Sequence, residues 1–201
     1  MISHKYKCIF IHIQRTAGSS IEKWMCGKDW WHIEPETKHL LASQAREVYS
    51  KYWDDYYKFS FVRNPWDRVV SCLKFSKYFG ITYNSKLDLE TYKQRFGFPK
   101  MLEVDNRYYK KENIVSEKHQ SHAVYQNIID EDLDFVGRFE NLEQDANFLR
   151  EKLGIEKKFN VNKQHNKTWL RKKYHEYYDA ETKAIVHDIY RKDIEKYGYT
   201  F

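Results

Sequence analysis

The chain has 201 residues, 41% of them hydrophobic and 32% charged, with a formal charge of +6. That length suits one domain, or one domain carrying a sizeable insertion, and the composition is that of an ordinary globular protein rather than a repeat or low-complexity chain. The positive balance favours an anionic partner without choosing among nucleotide, nucleic acid, sulfated glycan and membrane. Rings are abundant, with 17 Tyr, 12 Phe and 6 Trp against 7 Gly and 3 Pro, so flat walls for a bound ring are readily built.

In chain order, residues 7–13 (KCIFIHI) are a near-continuous apolar run, the pattern of a parallel strand covered on both faces. The run is far too short to span a membrane and no cleavage site follows it. Cys8, Cys26 and Cys72 form no CxxC pair and no zinc spacing. Reduced thiols and a cytoplasmic location are therefore expected. After the strand come QRTAGSS and a helix with Ile21, Trp24 and Met25 on one face. Residues 40–53 carry Leu41, Ala45, Val48, Tyr49 and Tyr52 at helical spacing, and 57–62 (YKFSFV) read as a second strand. Pro65 suits the first turn of the next helix, whose stripe is Trp66, Val69, Val70 and Leu73. Residues 76–125 are polar, basic and aromatic without a clear period, an insertion bordering a site. A third strand is expected at 135–139, then a helix with Leu142, Ala146, Leu149 and Leu153 that stops at Gly154. A last helix is expected over 180–197, ending at Gly198.

Strands alternating with helices imply an α/β three-layer, P-loop-like fold with a central, mostly parallel sheet flanked by helices, one domain over 1–201. Ligands of such sheets bind beyond the carboxyl ends of the strands, where both QRTAGSS and RNPWDR fall. In the first segment, Gln14, Arg15, Thr16, Ala17, Gly18, Ser19 and Ser20 offer backbone N–H groups at a helix start, hydroxyls and a fixed positive charge. Ser19 or Ser20 equally reads as a plain helix cap. The segment is not a nucleoside-triphosphate loop, because GxxxxGK[ST] is absent and the second strand ends in Arg63 rather than a magnesium-binding carboxylate. In the second segment, Arg63 and Ser71 are spaced to clamp one phosphate, while Asp67 and Arg68 read as surface charges that pair with neighbours.

HIQRTAGSSI, FVRNPWDRVVS, FVGRFENLEQD and the terminal YHEYYDAETKAIVHDIYRKDIEKYGY resemble the sulfotransferase family that uses 3′-phosphoadenosine 5′-phosphosulfate (PAPS), in particular its carbohydrate sulfotransferases and their bacterial relatives. The resemblance implies that residues 14–20 grip the 5′-phosphosulfate and that Arg63 and Ser71 grip the 3′-phosphate. It makes Asn166, Lys167 and Thr168 candidates to cover the nucleotide, with release of the bisphosphate PAP and no metal. One departure is Arg15, where the family usually has Lys. Arg keeps the charge but cannot give up a proton, so its role is electrostatic.

Sulfuryl transfer needs in-line geometry, a base for the acceptor proton and cations for charge on the bridging oxygen. Relatives of this branch place a histidine base near His39. His32, Glu34 and Glu36 are the alternatives, His12 reads as a core residue within the first strand, and His119 with His122 reads as a polar segment rather than a metal site. The expected acceptor is a hydroxyl or amine of a glycan or small molecule, with protein tyrosine also open. No nucleic-acid partner and no membrane span are expected. A small P-loop-type kinase and a basic polyanion-binding module are the competing readings.

Overall fold

The computed structural model describes residues 1–77, 109–111, 114–116, 124–160 and 173–201. Among them the strands are β1 (Ile2–Ser3), β2 (Cys8–Ile11), β3 (Tyr57–Val62), β4 (Tyr109–Lys111), β5 (Ile114–Ser116) and β6 (Phe135–Arg138). β2, β3 and β6 pair in parallel, with Ile11 opposite Ser60 and Val62 opposite Arg138, so their carboxyl ends share one edge. β1, which no periodicity announces, closes the sheet antiparallel to β2, giving the order β1-β2-β3-β6. β4 and β5 pair antiparallel as a separate two-stranded sheet. The expected mostly parallel sheet is present.

The helices are α1 (Gly18–Cys26), α2 (Ala42–Val48), α3 (Ser50–Trp53), α4 (Pro65–Lys77), α5 (Tyr125–Ile128), α6 (Leu142–Leu153), α7 (Ala180–Ile189) and α8 (Arg191–Tyr197). β2 is buried along its whole length, and successive residues serve opposite layers. Ile9 and Ile11 pack with Leu41, Ala45, Tyr49 and Trp53, whereas Phe10 packs with Ile21, Trp24, Phe59, Phe61, Ala146 and Leu149. Burying each Ile, Leu or Phe side chain among these is worth about 1.5–3 kcal/mol. A third cluster holds Trp66 and Val69 of α4 against Val186, Tyr190 and Ile194. No helix among the described residues is long and apolar enough to cross a membrane.

Several boundaries differ from the sequence reading. The helix expected over 40–53 is two, broken at Tyr49, whose φ of −109° and ψ of 25° close α2. Trp53 turns into the core, while Tyr52 meets His4 edge-to-face, 4.8 Å between ring centres. The helix expected over 180–197 breaks at Tyr190, a buried residue that packs against α4. In both cases the tertiary contacts of one aromatic ring override a continuous helical period. Gly154 and Gly198 do end their helices in the left-handed conformation. Of the 76–125 stretch, the parts other than 76–77, β4, β5 and 124–125 lie outside the described residues, as do 161–172.

Candidate active site

The turn between β2 and α1 is strained in a defined way. Arg15 and Ala17 have φ of 67° and 73°, a left-handed conformation uncommon outside glycine. Thr16 is buried and donates its hydroxyl to the Ile13 carbonyl at 2.9 Å, so it shapes the turn from inside. No side chain caps α1, so the backbone itself presents the helix N-terminus. Gly18 lies against the His12 ring, where a Cβ would come within 1.9 Å of Cδ2 and Nε2. His12 itself is the first residue past β2, not within it as expected.

Two arginines of the second segment hold this turn by its carbonyls. Arg63 Nη1 donates to Arg15 O at 3.1 Å, and Arg68 Nε donates to Gln14 O at 3.1 Å. Arg68 is thus no surface charge. It is 1% exposed and lies over the Tyr125 ring at 4.8 Å. A buried guanidinium must spend its N–H groups on protein acceptors, and the loop carbonyl is one. Asp67 does pair with a neighbour, and the neighbour is Arg63, through Nε at 2.7 Å and Nη2 at 2.6 Å. Arg63 also stacks on Phe139, 4.0 Å from its ring centre. Burial pulls its pKa down to about 10, against the opposing pull of Tyr125 and Glu140. Arg15 Nε donates to Ser71 Oγ at 3.1 Å. Burial lowers the Arg15 pKa, and the nearby Arg63 charge adds to the fall. Arg15, Arg63 and Ser71, 56 residues apart at the extremes, form one connected chain.

A second cluster lies under α1. Glu22 is fully buried. Its Oε1 is 2.5 Å from His12 Nδ1, and its Oε2 accepts from Lys38 Nζ at 2.8 Å and from Trp30 N at 3.0 Å. Burial alone would raise Glu22, but His12 and Lys38 outweigh it and hold the carboxyl below its usual range. Lys38, 1% exposed, also reaches Asp29 and lies 3.4 Å from Ser19 Oγ. Burial lowers the His12 pKa despite Glu22, so a neutral imidazole is favoured there. His39, next to Lys38 in the chain, is 7% exposed and sets its Nδ1 3.1 Å from the His12 carbonyl. A carbonyl can only accept, so the proton of His39 sits on Nδ1 and Nε2 is the basic nitrogen.

The family model described as the sulfotransferase family matches residues 1–200. The chain belongs to the sulfotransferase family. Searches of the curated proteins and of the solved structures found no match. Membership favours sulfuryl transfer over the phosphoryl-transfer and polyanion-binding alternatives.

Within this sulfotransferase the alternative bases are differently situated. His32 and Glu36 are exposed, and Glu34 accepts from the Thr37 hydroxyl at 2.7 Å. Ser19 leans toward the Lys38–Asp29 pair, while Ser20 is buried in the first turn of α1. Asn166, Lys167, Thr168, His119 and His122 lie outside the described residues. Sequence reasoning missed Glu22, Asp29 and Lys38. The available signal was a carboxylate inside the IEKWM stripe, but nothing local pairs position 22 with position 38. All three cysteines carry free thiols.

Proposed function

We propose that this sulfotransferase moves a sulfuryl group from PAPS to a hydroxyl, or an amine, of a glycan or small-molecule acceptor by metal-free in-line transfer within a single domain, 1–201. The observation that carries the reading is the pairing of an oriented His39 with a cationic strand–turn–helix loop, both anchored on His12. When bound, the nucleotide supplies an activated sulfuryl group on a phosphate leaving group. Residues 14–20, with α1 behind them, suit the 5′ end through backbone N–H groups and the Arg15 charge. Arg63 and Ser71 suit the 3′-phosphate, and their hydrogen-bonded links to Arg15 make the two grips one unit. Asn166, Lys167 and Thr168 are assigned to the nucleotide cover from the resemblance alone. The acceptor is assigned to the side bordered by the 76–125 insertion.

His39 Nε2 takes the proton from the acceptor hydroxyl as its oxygen attacks sulfur. Arg15 holds the negative charge that gathers on the bridging oxygen as the sulfur–oxygen bond breaks. Lys38, fixed by Glu22 and Asp29, keeps the base and the loop in register rather than touching either substrate.

The test is binding and transfer together. Thermal shift should show stabilisation by PAP in EDTA and none by an oligonucleotide, since a ligand raises stability by RT ln(1 + [L]/Kd). Labelled PAPS should then pass its sulfuryl group to an acceptor panel, with products identified by mass. Stabilisation by ATP with magnesium but not by PAP would defeat the reading.

A further inference from the structure

Trp31 stands out from its surroundings. It is 50% exposed, while Trp30, Lys38 and His39 around it are buried. Its ring centre lies 5.7 Å from that of His39 with the planes inclined at 70°, and the Lys38 ammonium is 5.5 Å from the same ring. The short turn that carries it is tied at three points. Asp29 Oδ1 accepts the Trp31 N–H at 3.1 Å, Glu22 Oε2 accepts the Trp30 N–H at 3.0 Å, and the Trp30 indole donates to Thr37 Oγ1 at 2.8 Å. The backbone of the turn is thus fixed from below, while the Trp31 indole itself is left half in water beside His39. Held beside a proton-accepting imidazole, it forms a stacking platform at the point where an acceptor must sit.

We propose that Trp31 carries a sugar ring of the acceptor, an assignment that rests on His39 being the base. The geometry selects the class. A pyranose has an apolar C–H face bounded by hydroxyls, so it can lie on one indole while its outer face stays hydrated. A phenol has two apolar faces and gains most from a slot closed on both sides. Trp31 stands open on the surface, flanked by Ile33, itself 46% exposed, and by the exposed His32, which can meet hydroxyls at the sugar rim. A ring parallel to the indole is steeply inclined to the imidazole and so offers His39 a hydroxyl of its rim rather than its face.

The experiment compares wild type, Trp31→Ala and Trp31→Phe as whole chains, with PAPS and a panel of unsulfated chondroitin and heparosan oligosaccharides, hexose methyl glycosides and 4-nitrophenol. The expected result is transfer to a saccharide, with its KM raised about tenfold or more in Trp31→Ala and partly recovered in Trp31→Phe. PAP affinity should stay within about twofold, because Trp31 lies on the acceptor side. An unchanged saccharide KM in Trp31→Ala, or transfer to 4-nitrophenol and to no saccharide, overturns the proposal. Failure of the wild type to bind PAP is a separate outcome that overturns the donor reading and this proposal with it.

Discussion

The guanidinium of Arg63 lies 3.1 Å from the carbonyl oxygen of Arg15, so the second segment holds the first by its backbone. Arg63→Ala removes this brace of the loop and, on the proposed donor reading, a phosphate contact as well. PAP binding should weaken by about 2–3 kcal/mol, the scale of a charge-assisted contact, with a smaller effect on turnover at saturation. Arg63→Lys should recover little, since one ammonium cannot serve Asp67 and the Arg15 carbonyl in the same fork geometry. Isothermal titration with PAP reads this, and an unchanged affinity in a folded variant would take Arg63 out of the site.

On the proposed role of Arg15 at the bridging oxygen, Arg15→Ala should mainly depress kcat, because charge there grows in the transition state. Arg15→Lys should keep substantial activity, since the charge survives while the bond to Ser71 is lost. Steady-state kinetics with saturating PAPS separate the two effects. Normal turnover with poor donor binding in Arg15→Ala would contradict the electrostatic role.

Gly18→Ala is expected to be damaging despite adding one methyl group. The new Cβ would lie 1.9 Å from a buried imidazole that Glu22 holds in place. Relief requires moving either the loop or His12, at about 1–3 kcal/mol for an overpacked interior. A lowered Tm together with weakened PAP binding is the expected pair, and a variant with wild-type Tm and affinity would show that the close approach is not kept in solution.

The pH dependence of stability follows from His12 and Glu22. Burial lowers the His12 pKa, so below the unfolded value of about 6.5 the unfolded chain takes up the proton first. Its contribution is complete above that pH and declines as pH falls. Glu22 is also held low, by His12 and Lys38 against the effect of burial, so its contribution is present above about 4.3 and lost as pH falls through its folded value. Tm should fall between pH 7 and 5 and again toward pH 3. His12→Asn should lessen the upper fall and Glu22→Gln the lower; an upper fall unchanged in His12→Asn would show that His12 is not kept neutral.

His39→Ala should retain PAP binding and lose roughly two to four orders of magnitude in kcat, the usual contribution of a positioned base. If His32→Ala, Glu34→Ala or Glu36→Ala caused the larger loss while His39→Ala stayed active, the base would be reassigned. The donor loop would be untouched by that outcome, because it rests on other residues.

Much of the architecture was legible in the chain because it depends on neighbours in sequence. The apolar run at 8–11 makes a doubly buried strand, a helix follows the QRTA turn, and Pro65 starts α4. The order of the two arginine-bearing segments was also enough to point to the family that the model match then identified. Only the tertiary structure decided how charges are matched. Arg68 looked solvated because its nearest residues are polar and charged as well as apolar, yet parallel pairing of β2 with β3 buries it beneath the loop it holds. Lys38, Glu22 and Asp29 are brought together by α1 and the turns after it, at separations no local pattern encodes. The breaks at Tyr49 and Tyr190 likewise depend on what each ring packs against. Periodicity reports which face of a segment is apolar; it cannot report which distant partner receives it, or where a buried charge finds its counter-charge, because those are properties of register between segments.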